Sequence, residues 1–145
     1  MSILITGGTG YIGSHTAVEI LNAGYDVVIA DNFYNSSPEV LKRIEIITGK
    51  KPEFFECDVC DKQAVKKLFD KYPDIDSVIH FAAYKAVGES VEKPLDYYEN
   101  NIGGALCVLQ EMQRRGVKNY VFSSSATVYG EPEKIPCDET CYAGS

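Results

Sequence analysis

Short runs of β-branched residues alternate along the chain with longer stretches whose apolar residues recur every three or four positions. That alternation is the pattern of βαβ units around a parallel sheet. Ser2–Thr6 predicts a first strand, and Tyr11–Ala23 a helix stopped by Gly24 just past its end. Asp26–Ala30 predicts the second strand. The next helix opens at Ser37, whose hydroxyl suits a cap, with Pro38 in the first turn and Glu39 favoured by the helix dipole. Its apolar face is Val40, Leu41, Ile44 and Ile47, and Gly49 follows it. Glu53–Cys57 predicts a third strand. Asp61 then caps a helix carrying Val65, Leu68, Phe69 and Tyr72 on one side, and Ser77–Phe81 predicts a fourth strand. One long helix is expected from Val91 to Arg115, with Tyr98, Ile102, Leu106, Leu109 and Met112 at helical spacing, ended by Gly116. Lys118–Phe122 predicts the fifth strand, and Ser123–Ser145 carries turn residues without periodicity. No repeat or linker interrupts the series. Right-handed crossovers then give an α/β fold, a doubly wound parallel sheet in the order 3-2-1-4-5 with helices on both faces.

Composition narrows the partners. At 145 residues, 45% hydrophobic and 24% charged, the chain has the make-up of one globular domain, which excludes disordered, collagenous and low-complexity classes. Fourteen Lys and Arg against 21 Asp and Glu leave a formal charge of -7, so nucleic acid is not expected as a partner. No apolar run approaches the roughly 18 residues of a membrane span, and Met1-Ser2-Ile3 enters a strand with no signal-peptide pattern. The expectation is a cytoplasmic protein without membrane attachment. Cys57-x-x-Cys60 and Cys137-x-x-x-Cys141 have ligand-like spacing, but the stretch between the pairs is far longer than in a compact zinc module. Five thiols are an odd number, and a reduced set of buried or half-buried cysteines, with no metal and no redox role, is the simpler reading.

The chemistry concentrates at the first turn, Thr6-Gly7-Gly8-Thr9-Gly10-Tyr11-Ile12-Gly13. Gly8-x-Gly10-x-x-Gly13 also satisfies the dinucleotide spacing. The turn leaves a predicted strand and opens a predicted helix, so backbone N–H groups and the helix dipole converge where a pyrophosphate would lie. Asp31 ends the second strand about 20 residues later, placed to accept hydrogen bonds from both adenosine ribose hydroxyls and to repel a 2′-phosphate. NAD is therefore expected over NADP. Asp58, just past the third strand, stands where an adenine contact would be made, or is a loop carboxylate only.

This glycine turn, with Asp31, Asp58, Phe81-Ala82-Ala83, Asn100-Asn101 and Ser123-Ser124-Ser125, resembles the extended short-chain dehydrogenase/reductase superfamily. The segments Thr6 to Thr16, Lys85-Ala86-Val87-Gly88-Glu89-Ser90 and Ser123 to Gly130 resemble the UDP-glucose 4-epimerase family more closely, the Lys85 segment being the most specific. The resemblance implies a Rossmann-like NAD-binding domain. Within it, Gly7, Gly10, Tyr11, Ile12 and Gly13 would hold the pyrophosphate. Asp31, Asn32, Asn35 and Ser36 would surround the adenosine ribose, and Asp58 with Val59 the adenine. Phe81, Ala82, Ala83 and Lys85 would line the nicotinamide half, with Asn100 behind it, and Ser125 would hydrogen-bond the reacting sugar hydroxyl.

Two departures accompany the match. Ala83-Tyr84 stands where many epimerases have Gly-Leu; a small residue is retained near the cofactor, so little change is expected, with an effect of Tyr84 on the substrate side left open. The family's catalytic tyrosine has a lysine four residues on, and none of the ten tyrosines here has one. Residues 1–145 thus read as an NAD-binding domain incomplete at its C-terminus, with the sugar-nucleotide-binding domain absent and the chain alone inactive. The full-length parent would interconvert UDP-glucose and UDP-galactose through a 4-keto intermediate as a homodimer, an assembly not expected of these residues alone. The alternatives are a stand-alone nucleotide-binding or regulatory module, and another sugar-nucleotide dehydratase or reductase of the superfamily.

Overall fold

In the computed structural model, which describes residues 1–144, five parallel strands form one sheet in the order β3-β2-β1-β4-β5. Ser145, the last residue of the expected irregular tail, lies outside the described residues. The strands are β1 (Ser2–Thr6), β2 (Asp26–Asp31), β3 (Glu53–Glu56), β4 (Ile75–His80) and β5 (Asn119–Phe122). β4 starts two residues earlier than its pattern predicts, and β3 and β4 stop before Cys57 and Phe81. Those two residues still make a last rung: the Cys57 N–H donates to the Asp31 carbonyl at 3.1 Å and the Phe81 N–H to the Thr6 carbonyl at 3.0 Å. The chain then turns out of the sheet.

Alternation within the strands sends successive residues to two cores. Leu4, Val28, Ala30 and Val78 face one side, packed with Val65, Leu68 and Phe69 of α3 (Lys62–Lys71). Ile5, Val27 and Ile29 face the other, against Ala17 and Leu21 of α1 (Tyr11–Asn22) and Ile44 of α2 (Glu39–Thr48). Burial of β1 and β2 on both faces explains their unbroken apolar runs. The caps act as their chemistry requires. Asp61 Oδ1 accepts from the N–H groups of Gln63 at 2.8 Å and Ala64 at 3.2 Å, and Ser37 Oγ accepts from the Glu39 N–H at 3.2 Å. On α2 only Ile44 is fully buried; Ile47 is 65% exposed, because α2 packs beside α1 and only its inner edge reaches the sheet.

The single helix expected from Val91 to Arg115 is instead four pieces: α4 (Val87–Glu92), α5 (Pro94–Tyr98), a π-helical turn (Glu99–Gly103) and α6 (Gly104–Arg115). Lys93, at φ -128 and ψ 57, breaks the first part, since the ring of Pro94 excludes its predecessor from helical geometry. Met112 is buried, but Tyr98, Ile102, Leu106 and Leu109 remain 39–65% exposed. The buried side is Gly104, Cys107, Val108, Glu111 and Met112, with Gly104 and Cys107 against Val59 and Cys60 of the loop after β3. α6 approaches so closely that a Cβ on Gly104 would lie 2.8 Å from Val59 Cγ2, leaving room there for small residues only. Glu111 is buried between Arg114 and Arg115, and Arg115 also holds the Phe69 carbonyl and Asp70, tying α6 to α3. Beyond β5 the chain makes one 3-10 turn, Ala126–Tyr129.

Candidate functional site

β1 and β4 are neighbours, but their crossovers depart to opposite faces, so the carboxyl ends of the sheet part between them. A cleft of about 320 Å³ opens at this switch point. Its floor depends on Gly7. That residue has φ 69, and a Cβ there would sit 2.7 Å from the Ala82 nitrogen, so only glycine lets the β1 turn lie against the chain leaving β4. A Cβ on Gly13 would overlap the Gly7 carbonyl, which fixes the first turn of α1 against the same loop. No side chain caps α1 and no acidic residue occupies its first turn. With Gly10, Tyr11, Ile12 and Gly13 all lining the cleft, that helix end turns its free N–H groups toward the cleft, where they suit an anion.

The opposite wall comes from β2 and β3. Asp31 is 9% exposed, and its carboxylate accepts from the Thr9 N–H at 3.0 Å and the Phe33 N–H at 2.9 Å. These bonds hold it at the rim, where Asn32 and Asn35 also line the cleft. Ser36 does not line it. Its hydroxyl is engaged with Thr9 Oγ1 at 2.6 Å and with Asp31 Oδ1 at 3.4 Å, so it stands behind the carboxylate. Asp58 and Val59 reach the cleft from the loop after β3, with Asp58 Oδ1 accepting from the Cys60 N–H at 2.8 Å. Phe81, Ala82, Ala83 and Lys85 follow β4, and Asn100 reaches in from the π turn.

Four lining residues were not expected: Ala30, Tyr34, Cys57 and Tyr84. The first and third sit at strand ends beside Asp31 and Asp58, a position the strand order alone would have given. Tyr84 packs its ring against Tyr34 of the β2–α2 loop at 5.0 Å between centroids, a pairing no local pattern signals. Burial, then the charges of Asp58, Asp31 and Asp61, push the Cys57 thiol up to about 12, and burial with Asp58 pushes Cys60 up to about 11. Neither is a thiolate near neutral pH. Cys107 is buried as well, whereas Cys137 is exposed rather than buried or half-buried.

His80, below the cleft, shares a hydrogen bond of 2.8 Å between its Nδ1 and Thr6 Oγ1, and burial lowers its pKa to about 4. The bond ties the last residues of β1 and β4, directly under Gly7 and Phe81. Ser125 lies apart from this constellation. It is exposed beyond β5, where its Oγ accepts from the Thr127 N–H at 3.3 Å and meets Thr127 Oγ1 at 2.7 Å. Among the described residues, no helix is long and apolar enough to cross a membrane.

The cleft thus offers a helix terminus for a diphosphate, a carboxylate for a diol and a floor of small residues for a flat ring. Comparison with known proteins agrees in kind. Residues 3–145 match the model of the NAD dependent epimerase/dehydratase family. The UDP-glucose 4-epimerase of Haemophilus influenzae is 57% identical over 144 residues, covering 99% of this chain and 42% of that protein. The human UDP-glucose 4-epimerase is 54% identical over 143 residues, covering 94% and 41%. The crystal structure of UDP-glucose 4-epimerase from Bifidobacterium longum, in complex with NAD+ and UDP, superposes with a TM-score of 0.93 at 48% identity over all of this chain and 43% of that one. The chain spans about two-fifths of the length of these relatives. On the match of its whole sheet and glycine turn, the chain belongs to the NAD-dependent epimerase/dehydratase family.

Proposed function

We propose that the cleft binds NAD and that the chain supplies the NAD-binding part of a UDP-glucose 4-epimerase. The observation that carries this reading is the convergence, at one switch point, of the uncapped α1 terminus, the Asp31 carboxylate and a floor that admits no side chain at Gly7. A dinucleotide fits these groups in order: pyrophosphate on α1, adenosine ribose on Asp31, adenine beside Asp58 and Val59, nicotinamide over Ala82 and Ala83. Asp31 favours the free ribose hydroxyls and repels a 2′-phosphate, which selects NAD over NADP. Lys85 brings a positive charge to the anionic ligand.

When bound, NAD would supply the hydride-accepting and hydride-donating chemistry for inversion at C4 of the sugar through a 4-keto sugar. The chain's own residues bind and orient. Ser125 hydrogen-bonds the reacting hydroxyl, sharing its proton with a tyrosine base. No tyrosine–lysine pair at the required spacing exists in residues 1–145, so that base and the sugar-nucleotide-binding domain come from outside them. Residues 1–145 are then the NAD-binding domain without its last strands, inactive alone, from a cytoplasmic parent acting on UDP-glucose and UDP-galactose. The exposed stripe Tyr98, Ile102, Leu106 and Leu109 supports a homodimer of that parent.

Calorimetric titration of the chain should show NAD binding that exceeds NADP binding. The full-length parent should convert UDP-galactose to UDP-glucose with no added NAD. A parent that carries NAD yet inverts no UDP-hexose at C4 overturns the epimerase reading.

A further inference from the structure

The mouth of the cleft is bridged by two rings that the binding chemistry does not use. Tyr34 stands on the β2–α2 loop, three residues past Asp31, and Tyr84 on the β4–α4 loop; their centroids are 5.0 Å apart with ring planes at 39°. Both residues line the cleft and also a second hollow of about 310 Å³ outside it, so the ring pair is part of the wall between the two. The Tyr84 side is fixed. Asn101, on the π turn, accepts from the Tyr84 N–H at 2.8 Å through Oδ1 and donates to its carbonyl at 3.1 Å through Nδ2. Asn100 Nδ2 holds Asn101 Oδ1 at 2.9 Å, and the Tyr97 ring backs Tyr84 at 5.4 Å, anchored by its hydroxyl to Glu89 at 3.0 Å. A π turn inside a helix commonly serves such a placement.

The Tyr34 side is aimed by its backbone. Phe33 has φ 56, the one positive value outside glycine among the described residues, and it is held there by the bond to Asp31 Oδ1 and by ring contact with Phe54 at 5.0 Å. That backbone directs Tyr34 over the cleft, while its side chain stays 62% exposed on a loop. We infer that Tyr34 and Tyr84 form an aromatic clasp over the adenosine half of the cleft, with Asn101 as its positioning residue, and that the clasp slows release of the dinucleotide. The inference rests on the NAD reading above. Asp31 and Asp58 put the adenosine under the rings, and a ligand held there leaves only after the rings part.

The test is the dissociation rate of bound NAD, read by stopped-flow chase on the full chain, with ADP-ribose as a second probe. Tyr34→Ala and Tyr84→Ala should each speed release by about tenfold, the scale of one aromatic pair. The double variant should be no faster than either single one, because one ring cannot close the mouth alone. Tyr34→Phe and Tyr84→Phe keep the rings and should keep slow release, and Asn101→Ala should release as Tyr84→Ala does. ADP-ribose should be affected equally. Tyr34 is exposed, so its removal leaves the fold intact, which thermal melting checks. Release within twofold of the parent in both alanine variants overturns the clasp, as does a double variant equal to the product of the singles or an effect confined to NAD. Failure of the unaltered chain to bind NAD at all, with Asp31→Ala no different, instead overturns the reading of the cleft.

Discussion

Around the cleft, residues far apart in sequence hold one another through hydrogen bonds: Thr9 on Asp31, Thr6 on His80, Asn101 on Tyr84. From Tyr98 through α6 to β5, by contrast, a stripe of outward-facing residues is apolar and lacks comparable cover. Ile102 and Leu106 are each 50% exposed, Val121 58% and Phe122 56%. The cleft is organised by contacts within the chain, so its ligand groups are placed before a ligand arrives. The flank has the character of a surface that other protein covers. The difference predicts that substitutions at the cleft alter binding, whereas those on the flank divide sharply by which way they face.

The largest contrast lies within α6. Met112 and Leu109 are one turn apart and indistinguishable by periodicity, yet Met112 is 3% exposed and Leu109 39%. Met112→Ala should cost about 2–5 kcal/mol by opening a cavity among Val108, Phe69 and their neighbours. Leu109→Ala should cost a small part of that in the isolated chain. Urea unfolding measures both, and equal losses would show that the outer stripe is already covered.

At the cleft floor the next effect is a pH dependence. His80 is held at a pKa of about 4 against an ordinary 6.5, because burial disfavours its charged form. The unfolded chain therefore binds more protons between those values, and stability falls as pH drops through that window. The full contribution is present above 6.5, and the loss approaches about 3 kcal/mol by pH 4. Denaturation curves from pH 7 to 4 should show this slope, diminished in His80→Asn, which hydrogen-bonds without titrating there. A slope unchanged by that substitution would assign it to carboxylates elsewhere.

The strand order and the glycine turn were legible because each rests on local rules: period-two apolar runs, helix stops and a turn that backbone geometry confines to glycine. The same rules misplaced what depends on distant packing. Pro94 carried the break at Lys93, but an unbroken apolar repeat from Tyr98 onward masked it. Periodicity showed that α6 has an apolar side without showing that Gly104 and Cys107, rather than Ile102 and Leu106, are the residues packed inward against the loop after β3. Ser36 was expected at the rim with its neighbours, yet Thr9 draws its hydroxyl behind Asp31. Tyr34 and Tyr84 are 50 residues apart, and only the meeting of two loops brings their rings together.

Asp31→Ala sharpens the comparison from the binding side. NAD affinity should fall by roughly 1–3 kcal/mol with loss of a charged acceptor for the ribose hydroxyls. NADP should lose less, or gain, as a repulsion is removed. Equal losses for both cofactors would leave Asp31 as the brace for Thr9 and Phe33 alone.

The smallest effect should come from Ser125, and its size depends on which region the residue belongs to. In this structure the hydroxyl closes a short turn beyond β5 through Thr127, and it does not reach the cleft. Ser125→Ala should therefore leave NAD affinity of the chain unchanged within about twofold and cost at most about 1 kcal/mol of stability, the scale of one exposed cap. On the proposed role of its hydroxyl beside the proton in transfer, the same substitution in the full-length parent should lower kcat more than it raises KM, with cofactor content near normal. The pair of measurements separates a turn residue from a catalytic one. An unchanged kcat would return Ser125 to the turn, and a large loss of NAD affinity in the isolated chain would mean that the β5 flank reaches into the cleft after all.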